Sequence, residues 1–347
     1  MDVNQSDTKK TYIEFLRIAA AFLVIVNHTN SHLLLSLGPS LTWFCSLTYF
    51  FICKVAVPLF LFIMGALLLG KEDTPKKTWA RIYRILVVFV VSSLLYYIFL
   101  SRVNGTPLVL WRFLPALVKG PITDALWYFY LYLALLLMLP ILQKLIKVLN
   151  KRHLQYLLFF SLVVTGTASL LTIFVPRLWL SDYFTVGLIG PYIGLVLLGY
   201  YLEEYVPMKR PVFWGAFAVF IALIAFQVGG SFYLYRRNPS FYLLLDDRTL
   251  ITITAASAAF YICAKYLFTK HPPRPWLSNV ICRFGRLTLG IYLLGDGVIY
   301  RTRFIFNALS GYIHPMAAMV LWELLVFAIC ALVTAALRLI PFLRKFL

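Results

Sequence analysis

Apolar residues gather into long runs along the chain, and polar and charged positions collect between them. Each run is close to the roughly 20 residues that an α-helix needs to cross the hydrocarbon of a bilayer. Taken run by run, the pattern gives about ten candidate transmembrane helices: residues 12–34, 43–70, 81–100, 123–142, 153–175, 183–202, 211–229, 248–268, 287–308 and 316–340. The connections are too short to hold a soluble domain. The pattern therefore predicts an all-α polytopic membrane protein, with residues 1–347 forming one membrane-embedded domain. No internal repeat is visible, so an inverted-repeat transporter gains no support. The first run follows Lys9, Lys10 and Arg17 and has the outline of a signal peptide. No small-residue cleavage site comes after Ile18–Val26, however; Asn27-His28-Thr29-Asn30-Ser31-His32 does, so the run is read as a span.

Composition agrees. Of 347 residues, 62% are apolar and 13% charged, about half the roughly 25% charge of a soluble domain. The formal charge of +19 suggests nucleic acid at first sight. The basic residues lie between apolar runs rather than in one stripe, so they report orientation and no nucleic-acid partner is expected. Ten spans put both termini on one side. Of 32 basic residues, 22 fall on that side and nine on the other, with Lys54 inside a span. The positive-inside bias then predicts cytoplasmic termini. Five scattered cysteines form no CxxC pair and predict neither a disulfide framework nor a metal knuckle.

Ionisable residues at membrane depth are costly and mark candidate function. The first span is richest, with Glu14, Arg17, His28 and His32. Eleven residues separate Arg17 from His28, which is three turns plus about 20°, so both share one face about 16 Å apart. Glu14 precedes Arg17 by three residues and can pair with it. His28 and His32 are spaced like paired metal ligands, but no third ligand accompanies them and no metal is expected. Lys54, Asp296 and Glu323 also fall within spans. Lys54 with Asp296 or Glu323 is either a structural ion pair or part of a polar chamber that holds His28 and opens outward. Arg81 and Arg84 open the third span and face the same way, as a phosphate fork or as positive-inside signal alone.

In order along the chain, these segments resemble the acyltransferase-3 family of bacterial integral-membrane O-acyltransferases. Glu14, Arg17 and His28 are similar to the family's opening helix. Val55-Ala56-Val57-Pro58-Leu59-Phe60 with Met64-Gly65 resembles its second helix, and Arg81-x-x-Arg84 its Arg-x-x-Arg. Leu126-Trp127-Tyr128-Phe129, Leu198-Gly199-Tyr200 and Gly285-Arg286 through Tyr292-Leu293-Leu294 complete the order. Met64, Ala125 and Gly295 stand where the family often has Ser, His and His, and none of the three can exchange a proton.

The resemblance implies a multi-pass transferase of the bacterial cytoplasmic (inner) membrane. It would move an acyl group, acetyl first among them, from cytoplasmic acyl-CoA to a hydroxyl of an envelope glycan or lipid-linked sugar. Arg17, Arg81 and Arg84 would hold the CoA phosphates, with Glu14 orienting Arg17. His28 would act as general base or carry the acyl group. Lys54, Trp127, Asp296 and Glu323 would line the acceptor side. The competing readings are a transporter or flippase for a polysaccharide or lipid-linked sugar, and a family member without catalysis.

Overall fold

The computed structural model describes residues 3–175 and 190–347, with side chains from residue 11 onward. All regular elements among the described residues are helical. Eight stretches are long and apolar enough to cross a membrane: Thr11–Ser36, Leu41–Leu68, Pro75–Val103, Asp124–Val148, Lys151–Phe174, Arg210–Arg237, Ile251–Lys270 and Pro315–Leu337. They coincide with eight of the ten expected spans. The expected span 287–308 is also a helix, Thr288–Leu309, but Asp296, Arg301 and Arg303 make it too charged for that set. Of the span 183–202, residues 183–189 lie outside the described residues, as does Arg177; the rest is the helix Pro191–Glu204. The chain is an all-α multi-pass membrane protein.

Six of the helices place proline in their first turn, where the missing N–H has no intrahelical partner to lose. The opening helix α1 (Val3–Ser36) runs through the middle of the bundle. Tyr12, Ile13, Leu16, Ala20, Ala21, Leu23, Ile25 and Val26 are all buried, which covers every side of it. A helix enclosed in this way can carry ionisable groups because protein, not lipid, surrounds them.

The second expected span is not one helix. It breaks into α2 (Leu41–Cys53) and α3 (Ala56–Leu68) at Lys54 and Val55. The cause is Pro58, which cannot donate to the carbonyl of Lys54 four residues back and whose ring crowds it. The break puts the Lys54 side chain in the bundle interior. Below it, α3 packs directly on the helix Pro191–Glu204, backbone to backbone. A Cβ on Gly65 would collide with the carbonyl of Val196, and one on Gly199 with the backbone of Phe62. Small residues at such a crossing are what close helix packing within a membrane requires.

The connection between Arg210–Arg237 and Ile251–Lys270 folds inward: Leu245 and Leu250 are fully buried, in a cluster with Trp43, Leu47 and Phe50.

Candidate functional site

Two adjoining cavities lie along the Arg17–His28 face of α1. The larger, about 600 Å³, opens at the basic end of the bundle. Arg17 contributes from α1, and Arg81 and Arg84 from the first turns of α4 (Pro75–Val103). Arg286, Arg338, Arg344 and Lys345 contribute to the wall, and among the described residues no Asp or Glu lines it. Its apolar walls include Phe60, Met64 and Tyr132. Sequence reasoning placed the first three arginines here. It missed the other four because they follow the ends of helices distant in sequence and looked like ordinary positive-inside charge.

The cations are held by a second layer of contacts. Arg17 Nη1 donates to Glu14 Oε1 at 2.8 Å, as the spacing predicted. Gly285 lies so close to Glu14 that any side chain there would strike the carboxylate. Arg81 forms an ion pair with Asp73, which also pairs with Lys77 at 3.2 Å and accepts from Gln143 Nε2 at 3.1 Å. The hydrogen bond from Arg81 is the chief cause that holds the Asp73 carboxyl down at about 2. Arg84 donates to the carbonyl of Phe346 at 3.1 Å. The Arg81–Arg84 fork is therefore anchored at both prongs, one by an acid and one by backbone. Arg338 is pushed below the usual guanidinium range, first by burial and then by Arg344, Arg286 and Arg84.

Phe60, Tyr128 and Tyr292 line this cavity and a second, much smaller one of about 30 Å³. The rings of Phe60 and Tyr128 are 5.9 Å apart and those of Tyr128 and Tyr292 6.2 Å, so the three form a constriction between the cavities. Beyond it lie Asn27, His28, Lys54, Trp127 and Arg248. His28 Nδ1 is 3.7 Å from Asp296 Oδ1, and Asp296 Oδ2 accepts from the backbone N–H of Ala125 at 3.4 Å. The Tyr292 hydroxyl donates to the carbonyl of the same Ala125. Ala125 thus binds the two walls together through its backbone, although its side chain offers no chemistry.

Lys54 does not pair with Asp296 or Glu323, contrary to the ion-pair alternative. Its Nζ is 2.5 Å from Asp246 Oδ1 and donates to Asn27 Oδ1 at 2.7 Å. The inward-folded connection delivers Asp246, and no sequence pattern announces that fold. Glu323 is fully buried; it accepts from Thr29 at 2.6 Å and from Tyr49 at 2.7 Å, and lines neither cavity. The structure thus brings His28, Lys54, Trp127 and Asp296 together and leaves Glu323 behind the wall, one residue from His28 through Thr29. No group of three or more metal-ligating side chains occurs among the described residues.

The geometry thus joins a cation-rich cavity to an imidazole pocket through one narrow passage. The Acyl_transf_3 family model, an acyltransferase domain, matches residues 10–343. The chain belongs to this acyltransferase family. No curated protein and no solved structure matches it significantly. Met64 lines the large cavity as part of its apolar wall. A Cβ on Gly295 would meet only Ile25 Cγ1, at 4.0 Å, so a methyl group fits there without a clash.

Proposed function

We propose that this acyltransferase takes an acyl group, acetyl foremost, from cytoplasmic acyl-CoA and delivers it to a hydroxyl of an envelope glycan or lipid-linked sugar across the bacterial cytoplasmic membrane. One observation carries the reading: a basic cavity with no Asp or Glu among its described lining residues narrows at three aromatic rings into a pocket containing His28. The CoA phosphates call for the first, and transfer from a thioester calls for the second. His28 is about 16 Å along α1 from Arg17, a distance suited to the pantetheine arm. About 30 Å³ beyond the constriction is room for about two waters. That favours a short acyl group, and it requires the rings to turn aside as the arm enters and the pocket to widen as the acceptor binds.

In this mechanism the acceptor oxygen attacks the thioester carbon while His28 takes its proton. The carbonyl electron pair moves onto oxygen, the tetrahedral species collapses, the C–S bond breaks, and His28 returns the proton to the departing sulfur. Asp296, beside Nδ1, orients the ring and offsets its transient positive charge, as acids do for catalytic histidines. The approach of 3.7 Å is longer than a hydrogen bond and would tighten with substrate bound. Asn27 supplies an N–H to the developing oxyanion. Lys54 and Trp127 serve the acceptor side, and Glu323 supports His28 through Thr29.

Proteoliposomes supplied with acetyl-labelled acetyl-CoA test the reading. The wild type should release or transfer label, and His28→Ala should abolish this while CoA binding persists, because the ring acts on the transition state. Transfer by His28→Ala at the wild-type rate would refute the mechanism. Movement of a glycolipid without consumption of acetyl-CoA would favour the transporter reading.

A further inference from the structure

Arg248 takes no part in the transfer chemistry. It belongs to the inward-folded connection and lines the His28 pocket. Its guanidinium lies 4.6 Å from the centre of the Trp127 ring. The two carboxylates beside it in sequence are both committed elsewhere. Asp246 pairs with Lys54 at 2.5 Å, and Asp247 Oδ1 accepts from the backbone N–H and hydroxyl of Thr249 at 2.9 and 2.8 Å. Among the described residues, no carboxylate lies within ion-pair distance of Arg248.

A guanidinium drawn into the bundle without a counter-ion is costly. Asp246 attracts Arg248 at longer range and Tyr192 lies beside it. The direct ion pair of Asp246 is with Lys54, however, and Asp296 faces His28, so neither acid forms a direct ion pair with Arg248. With the indole against its face, the N–H donors of Arg248 radiate from its edge in the planar fork that matches a carboxylate or phosphate. The CoA phosphates are not the partner, because they would bind at the basic end, on the other side of the aromatic constriction.

We propose that Arg248, backed by Trp127, is an anion-binding subsite for the acceptor. The molecule that receives the acyl group carries a carboxylate or phosphate near the reacting hydroxyl, as a sugar acid or a phosphate-linked sugar does. The identification of that anion with the acceptor rests on the transferase reading of the same pocket; the anion site itself does not.

Calorimetric titration of the full chain in detergent, with CoA saturating the basic cavity, tests this. The probes are methyl glucuronide, glucose 1-phosphate and neutral methyl glucoside. At least one anion should bind about tenfold more tightly than the neutral sugar, a difference of about 1.4 kcal/mol. A preference for the glucuronide alone assigns a sugar acid, and one for the phosphate alone a phosphate-linked sugar. Arg248→Gln should erase the preference without lowering the unfolding temperature, and Arg248→Lys, which keeps the charge but not the fork, should retain part of it. Equal binding of the neutral sugar, no saturable binding of either anion, or a preference that survives in Arg248→Gln each overturns the proposal. The wild-type titration decides the anion preference even if the Gln variant does not fold. Failure of the wild type to consume acetyl-CoA is read separately. It would sink the transferase reading while leaving a measured anion site in place.

Discussion

Replacing Asn27 with Asp keeps the shape of the side chain and changes only what it can donate. Lys54 Nζ approaches Asn27 Oδ1 at 2.7 Å, and an ammonium has no lone pair to accept with. The amide oxygen must therefore face Lys54, and the NH₂ group must face away from it, on a side chain that lines the His28 pocket. Aspartate retains the contact to Lys54, now as an ion pair, and loses the donor. Removal of one oxyanion donor costs about 2.7–4 kcal/mol, or about 10²–10³ in kcat. The new charge adds repulsion toward the developing oxyanion, up to about 4 kcal/mol for two charges about 4 Å apart at an effective dielectric of about 20. Single-turnover decay of acetyl-CoA on protein in lipid discs should therefore slow at least about a hundredfold. CoA affinity should hold, because the phosphates bind at the other cavity, and the unfolding temperature should not fall. If Asn27 only tethers Lys54, the variant will keep its rate. A rate within about threefold of wild type, under 1 kcal/mol in barrier, would refute the oxyanion assignment.

Two further outcomes bear on the frame around the site. Asp73 titrates at about 2 in the folded protein against 3.8 ordinarily. A depressed carboxyl stabilises the fold fully above its ordinary value and loses that contribution as pH falls from 3.8 toward 2. Acid unfolding followed by fluorescence should accordingly be steeper in the wild type than in Asp73→Asn over that window, and identical profiles would contradict the Arg81 anchor. Gly65→Ala should destabilise by about 1–3 kcal/mol or more, since its methyl meets the backbone of Val196. Gly295→Ala has a nearest contact at 4.0 Å and should be neutral or stabilising by up to about 1 kcal/mol. Equal thermal stability of the two variants would contradict the helix crossing.

The hydrophobic pattern alone determined the class of fold and most of the helices, because a bilayer accepts only segments that satisfy their own backbone and offers few lengths. It also determined the relation of Glu14, Arg17 and His28, since one helix fixes spacing along its axis whatever surrounds it. The break at Lys54 was open to the same reading through Pro58, although the span looked continuous by hydropathy. Tertiary structure decided which distant charges meet. Asp246 rather than Asp296 or Glu323 neutralises Lys54, and that depends on a connection folding inward around Leu245 and Leu250, which no period or composition encodes. The gathering of Arg286, Arg338, Arg344 and Lys345 around Arg17 is likewise a product of packing. Charges at several helix ends read identically in sequence, and only the closure of the bundle separates those that enclose a cavity from those that merely mark its basic face.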